Sequence, residues 1–505
     1  MTICSFLEKH AKQSPHQQAL SAPHSTPLDY ASLWDLTQNT AAALNHFGVG
    51  RNDRVAVCLP NSPQLAAAFP GIAAAATFAP LNPAYRQEEM EFYLKDLESR
   101  ALIVEAGDDG PAVRAAQALG VPLLEVKTDP ARPAGWFALE GEPRRLSSPG
   151  GLASEEDIAL ILHTSGTTAR PKIVPLSHRN VCASARNIAA TLELVPEDRC
   201  LNIMPLFHIH GLIGATLSTL WAGAELAVTP GFQALRFFQW IEELQPTWYT
   251  AVPTMHQAIL SRAARNREIV EKAGLRLVRS SSAALPPTVL ADLEETFGCR
   301  VVESYGMTEA AHQMASNPLP PRDRKPGSVG PAAGPEVAVM DAEGAILAQG
   351  DIGEVVIRGE NVTEGYDRNP EANAAAFTDG WFRTGDQGYL DSDGYLYLTG
   401  RLKELINRGG EKISPREIDE VLLTHSAVAQ AVAFAFPHPK LGEEVAAAVV
   451  LTEGSELAER DLRGFVSERL AEFKTPKKIL FLEEIPKGPT GKIQRIGLAA
   501  KLGLG

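Results

Sequence analysis

Short apolar runs recur along this chain, and stretches with helical spacing alternate with them. Residues 54–59 (RVAVCL), 101–106 (ALIVEA) and 158–162 (IALIL) are such runs. Unbroken apolar runs of this length suit strands buried on both faces. After the first run, Ser62 precedes Pro63, a capping residue before a first-turn proline, so a helix is predicted to start there. Residues 30–47 place Leu33, Leu36, Ala41 and Leu44 at helical spacing and stop before Gly48. Strands alternating with helices predict an α/β lobe with a largely parallel sheet.

The chain has 505 residues, too many for one core, so about three compact lobes are expected. The first covers residues 1–150 and ends in a proline- and glycine-rich surface connection at 127–151. The second α/β lobe covers 151–326. From 327 to 399 the texture changes to hairpins: EVAVMD, GEVVIRG and YLYLTG alternate with turns. Residues 400–403 form a hinge and 404–505 a separate domain. That domain holds helices near 415–423 and 459–470, strands at AQAVAFAF and VAAAVVL, and a basic loop near 487–492. The predicted fold class is therefore α/β: a large N-terminal domain of two α/β lobes plus a small β-rich lobe, then a smaller mobile α+β C-terminal domain.

Charge and cysteine usage narrow the partners. A formal charge of −14 argues against non-specific nucleic-acid binding, though a local cationic pocket can still hold an anion. The five cysteines (Cys4, Cys58, Cys182, Cys200, Cys299) are widely spaced and form no CxxC pair, so a reducing compartment is expected. No secretory signal is recognisable, and a cytoplasmic enzyme is expected. Residues 65–81 carry no charge, but they are rich in alanine and broken by Pro70, Gly71 and Pro80. They read as a buried helix rather than a membrane span. The Asn361-Val362-Thr363 sequon has no export signal to give it meaning. Oligomeric state stays open.

The strongest local signal is HTSGTTARPKIV, residues 163–174. Hydroxyl residues and glycine after a buried strand can turn N–H and O–H groups around phosphate oxygens, and Lys172 adds positive charge. It is not a Walker A loop, and neither G-x-S-x-G nor G-x-G-x-x-G occurs. The chain continues with Tyr305-Gly-Met-Thr-Glu309, Gly353-Glu354, Tyr366, Gly380-Trp-Phe-Arg-Thr-Gly-Asp386, Gly400-Arg-Leu-Lys-Glu404, Gly409-Gly-Glu-Lys-Ile-Ser-Pro415 and Pro489-Thr-Gly-Lys-Ile493. In this order the motifs resemble those of the adenylate-forming superfamily of acyl-CoA synthetases, adenylation domains and luciferases.

The resemblance implies ATP, Mg²⁺ and CoA as reactants, and a two-step reaction. A carboxylic acid and ATP give acyl-AMP and pyrophosphate; the CoA thiolate then displaces AMP. It assigns Thr164, Ser165, Gly166, Thr167, Thr168 and Lys172 to the phosphates. Glu309 would hold Mg²⁺ and Thr308 a phosphate oxygen. Tyr305, Gly306 and Ala283 would flank adenine, and Asp386 with Arg401 would take the ribose. Lys492 would reach the reacting carboxylate and α-phosphate. The C-terminal domain would then swing about Lys403, bringing Gly409, Gly410 and Glu411 to the CoA channel. One departure stands out: Ile173 replaces the usual glycine after the loop lysine, so that position is either extended or the loop is altered.

Which acid is read from LFHIHGL, TWYTAVPTMHQ, TEAAHQMASNPLP and ELINRGGEKISP, wording similar to the oxalate–CoA ligase branch. Residues 207–210, 247–253 and 279–282 and those after Glu309 should line the acid site. The donors among them (Ser281, Ser282, His312) suit a second polar end. Unpaired against an alkyl chain, each would cost about 1–3 kcal/mol. The resemblance assigns Ser282 and His312 to the distal carboxylate and His208 to the wall. His208-x-His210 has no third ligand nearby in sequence, so a metal pair is not expected. Another short, medium-chain or aryl acid, and a luciferase-like adenylating oxygenase, stay open as alternatives.

Overall fold

A computed structural model describes residues 1–164, 171–487 and 493–504. Its first sheet has seven strands in the order Ala138–Gly141, Leu123–Lys127, Ala101–Glu105, Arg54–Val57, Thr77–Pro80, Ile158–Thr164, Lys172–Ser177. The inner pairs are parallel and both edges are closed by antiparallel neighbours. The second has eight: His312–Ser316, Arg300–Met307, Leu277–Ser280, Trp248–Ala251, Arg199–Asn202, Glu225–Val228, Gln18–Ser21, Leu28–Asp29.

The sheets do not divide the chain at residue 150. Ile158–Thr164 lies parallel to Thr77–Pro80 and carries its hairpin partner into the first sheet. The early strand Gln18–Ser21 crosses to the second, where it lies parallel to Glu225–Val228. Sequence periodicity identifies a strand but not its neighbour. The segment expected to be only a surface connection also contributes the short edge strand Ala138–Gly141, antiparallel to Leu123–Lys127.

The alanine-rich stretch folds as a buried helix, Pro63–Ala73, and the strand Thr77–Pro80. Ser62 Oγ caps the helix by accepting from the Leu65 amide at 3.2 Å. Alanines keep this helix thin enough to pack closely; a Cβ on Gly71 would lie 3.1 Å from Thr40. Among the described residues no helix is long and apolar enough to cross a membrane.

The third sheet is antiparallel. Glu336–Met340, Gly353–Arg358, Trp381–Leu390 and Phe377–Thr378 are joined in that order, and Leu396–Arg401 pairs with Trp381–Leu390. In the C-terminal region Glu411–Ile413, Ile406–Arg408, Gly442–Leu451 and Val428–His438 form a sheet. Lys478–Phe481 is added parallel to Gly442–Leu451. Helices Pro415–Leu423 and Glu459–Ser467 bury Ile418, Leu422, Leu462 and Val466 against it.

Candidate active site

The parallel strands Trp248–Ala251, Leu277–Ser280 and Arg300–Met307 lie side by side. Ser282, Ala283, Tyr305, Gly306, Thr308 and Glu309 sit at or just beyond their C-terminal ends, the position where open α/β sheets bind ligands. Beyond the last strand the chain makes a tight turn, Thr308–Ala310, and returns antiparallel as His312–Ser316. Gly306 is required by this return: a Cβ there would lie 2.0 Å from the His312 carbonyl oxygen. Three non-glycine residues at the site have left-handed backbone angles: Ser282 (φ 74°), Ala311 (φ 47°) and His312 (φ 103°). Such strain persists only where the surroundings impose it, and it concentrates at functional sites.

The turn buries Glu309, whose Oε1 accepts from the Tyr366 hydroxyl at 3.0 Å. Asn361, the residue of the sequon, anchors the same turn by donating to the carbonyls of Ala310 (2.8 Å) and Gln313 (3.0 Å). Lys172 Nζ sits 4.2 Å from the centroid of the Tyr366 ring. Burial and the nearby Lys403 lower the Lys172 pKa, while Glu309 offsets part of that. Burial raises the Glu309 carboxyl above its usual range. Among the described residues it forms no ion pair. A buried carboxylate with one hydroxyl donor and a cation some way off has the chemistry to take Mg²⁺.

Ile173 is extended. It lies in the Lys172–Ser177 strand opposite His163, is buried beside Ile161 and Cys58, and accepts from the Asp367 amide at 3.0 Å. Thr164 is paired with Lys172 across the same hairpin. Ser165, Gly166, Thr167 and Thr168 lie outside the described residues, as does Lys492.

Tyr305 donates its hydroxyl to Asp386 Oδ2, and Arg401 Nε meets Asp386 Oδ1 at 2.8 Å. Asp386 is aimed by the neighbouring motif. Glu354 Oε1 accepts from the Gly385 amide at 2.9 Å, and its Oε2 accepts from Arg383 Nε at 2.7 Å. Gly385 has φ 73°, which the turn before Asp386 requires. Tyr305 and Asp386 are buried, and Ala283 is exposed beyond the end of Leu277–Ser280. Thr308 is half-buried at the start of the Glu309 turn. Lys403 follows Arg401 in a turn held by bonds from the amides of Glu404 and Leu405 to the Arg401 carbonyl.

A second polar cluster lies on the acid side. His210 Nδ1 is 3.1 Å from Ser282 Oγ, and its Nε2 is 2.6 Å from Thr250 Oγ1. The His210 and His312 rings lie 4.8 Å apart. Behind them is Arg279, fully buried, its NH1 3.1 Å from His312 Nε2 and its NH2 3.2 Å from Gln313 Oε1. His208 is half-buried and its Nδ1 accepts from the His210 amide at 3.3 Å. Ser281 is not a pocket donor: its hydroxyl donates to the Ser304 carbonyl of the adjacent strand at 3.0 Å. Sequence reasoning placed Arg279 on the lining and gave it no role. Its signal was the one charge inside LVRS, residues 277–280, a run otherwise fit for a buried strand.

Gly409, Gly410 and Glu411 form the exposed tip joining Ile406–Arg408 to Glu411–Ile413. Their polar contacts stay within the C-terminal region: Gly409 donates to the Leu441 carbonyl and Gly410 to Asn407 Oδ1.

Residues 7–367 match the model of the AMP-binding enzyme family, and residues 417–492 match the AMP-binding enzyme C-terminal domain. The chain belongs to the AMP-binding enzyme family. An oxalate–CoA ligase of Arabidopsis thaliana is 46% identical, over 98% of this chain and 97% of that protein. One of Saccharomyces cerevisiae is 43% identical, over 88% of this chain and 86% of that protein. The crystal structure of ATP-bound MatB from Rhodopseudomonas palustris superposes with a TM-score of 0.88 at 29% identity, covering 99% of both chains. Like other acid–CoA ligases among the AMP-binding enzymes, this one uses ATP, Mg²⁺ and CoA, and joins acid to thiol through an acyl-adenylate.

Proposed function

We propose that this AMP-binding enzyme ligates oxalate to CoA, giving oxalyl-CoA, AMP and diphosphate. The observation that carries this reading is the cluster of buried Arg279, His312 and His210 with Ser282 at its mouth. A fatty-acid site would be lined by apolar groups; here a guanidinium, two imidazoles and a hydroxyl meet within hydrogen-bonding distance. They suit a short acid whose far end is also a carboxylate. The oxalate–CoA ligases at 46% and 43% identity support the same choice. Four relatives at 37–46% identity are named as CoA ligases, which disfavours the oxygenase alternative.

In this reading Tyr305 and Gly306 border the adenine and Asp386 with Arg401 holds the ribose. Thr164, Lys172, Thr308 and residues 165–168 surround the phosphates. Glu309 would hold Mg²⁺, which when bound neutralises phosphate charge. One carboxylate oxygen of oxalate attacks the α-phosphorus and diphosphate leaves. The ammonium of Lys492 sits against the charge that develops there; removing such a group costs about 10²–10³ in rate. The thiolate of CoA then attacks the carbonyl carbon and AMP leaves. Between the steps residues 404–505 turn about Lys403, carrying Lys492 away and Gly409–Glu411 toward the thiol channel. Five cysteines, all unpaired, fit a reducing compartment, which supports reading the enzyme as cytoplasmic.

The test is pyrophosphate release over a panel of acids, with and without CoA. Turnover with oxalate, stimulated by CoA, is expected. Turnover confined to alkyl or aryl acids would refute the substrate. Lys492→Ala should abolish adenylation and leave thioester formation from supplied oxalyl-AMP within a few-fold of the parent. Equal loss of both half-reactions would refute the swing.

A further inference from the structure

Arg279 is a buried cation without a counter-ion. None of its side chain reaches solvent, and among the described residues no carboxylate pairs with it. Among the described residues its Nε has no hydrogen-bond partner. Burial lowers its pKa to about 9, which still leaves it charged at neutral pH. A guanidinium only donates hydrogen bonds. His312 Nε2, 3.1 Å from NH1, must therefore accept, and the His312 proton resides on Nδ1. That edge of the ring faces Gly306: a Cβ there would lie 2.8 Å from Nδ1.

The same cation acts on the second imidazole through Thr250. NH1 approaches Thr250 Oγ1 at 3.5 Å, a long contact that turns the oxygen lone pairs toward it. The Thr250 proton then has His210 Nε2, 2.6 Å away, as its acceptor. His210 must carry its own proton on Nδ1 and donate it to Ser282 Oγ at 3.1 Å. The Ser282 hydroxyl, half-exposed at the mouth of the cluster, is left to donate outward.

We infer that Arg279 is the positioning residue of the acid site: it sets both His312 and His210 as Nδ1–H tautomers, so that the site offers only donors and a net positive charge to the far end of the acid. A carboxylate, which only accepts, satisfies the Ser282 hydroxyl and meets the positive charge of Arg279. A carboxamide of the same shape brings its own N–H groups and no charge. The inference rests on the oxalate reading and adds to it the reason for discrimination.

The experiment compares oxalate with its monoamide, oxamate, as kcat/KM in pyrophosphate release by the full-length enzyme. The parent is expected to favour oxalate by about 10² or more, as sites built for a particular hydrogen-bonding group do. Arg279→Gln, which can both donate and accept, should cut that ratio about tenfold or more through the KM for oxalate, with the KM for ATP unchanged. Thr250→Val keeps the cation and breaks the branch to His210; it should cut the ratio about threefold or more. A ratio equal to the parent's in both variants, with activity merely reduced, would make Arg279 a structural residue and overturn the inference. Should Arg279→Gln fail to fold, an unchanged ratio in Thr250→Val overturns it alone. A parent that adenylates neither acid sinks the substrate reading before any variant is made, and this inference with it.

Discussion

Tyr366 does two jobs with one side chain. Its hydroxyl donates to the buried Glu309 carboxylate at 3.0 Å, and its ring carries Lys172 Nζ 4.2 Å from its centroid. The tyrosine thus touches both a cation and an anion of the site. A hydrogen bond to a charged group contributes about 1.5–3 kcal/mol. Tyr366→Phe keeps the ring and removes only the donor. The half-saturating Mg²⁺ concentration should then rise about tenfold, read both in adenylation and in the Mg²⁺-dependent rise of the melting temperature with ATP present. The same Mg²⁺ dependence in variant and parent would show that the hydroxyl does not orient Glu309. The sequence marked Tyr366 as part of a motif, but the pairing with Glu309 spans 57 positions and only the fold reveals it.

At the scale of elements, the acid site depends on a π-helix, His210–Leu217, that carries Gly214 against the His312 ring. A Cβ on Gly214 would lie 2.5 Å from His312 Cδ2 and Nε2, and 3.0 Å from His210 Cδ2. In an ordinary helix Gly→Ala stabilises by about 1 kcal/mol. Here the added methyl displaces the ring from Arg279. Gly214→Ala should therefore raise the KM for oxalate about tenfold or more while the KM for ATP, set by groups on other elements, stays put. An unchanged KM for oxalate would remove the π-helix from the site. None of this was legible in HGLIGATL, because a π-turn is fixed by what packs against it and not by periodicity. The regular elements were legible: Pro415–Leu423 lies where the sequence placed it, and Tyr30–His46 is one residue shorter than expected. Apolar spacing and caps determine such elements locally. The division between sheets was not legible, since Gln18–Ser21 finds its parallel partner more than 200 residues away. The role of Arg279, though not its place on the lining, was missed because a charge inside a strand reads as an exception until its neighbours are known.

Across the whole molecule, the C-terminal region meets the rest through polar groups. Ser414 Oγ donates to the Thr399 carbonyl, and Gln257 donates to the Ala429 carbonyl at 3.2 Å. Contacts of this kind break and re-form at little net expense, as a rotating domain needs. Glu303 belongs to this boundary. It lies on the Arg300–Met307 strand, accepts from the Leu285 amide at 2.9 Å, and feels Arg416 and Glu420 of the helix Pro415–Leu423 as well as Arg324. Burial pushes its carboxyl up from 4.5 to about 7 against the pull of those arginines. The sign follows. Below pH 4.5 the group is protonated whether the chain is folded or unfolded; between 4.5 and about 7 only the folded protein keeps the proton. Its contribution to stability is complete at low pH, falls as pH rises through that window and is gone above it. At about 1.4 kcal/mol per pH unit the loss is on the order of 1–3 kcal/mol. Glu303→Gln keeps an oxygen for the Leu285 amide and cannot ionise. Its melting temperature should exceed that of the parent at pH 8, and the gap should close as the pH is lowered toward 5. A gap that is independent of pH would mean that Glu303 is charged in the folded protein, held so by Arg416 across the boundary.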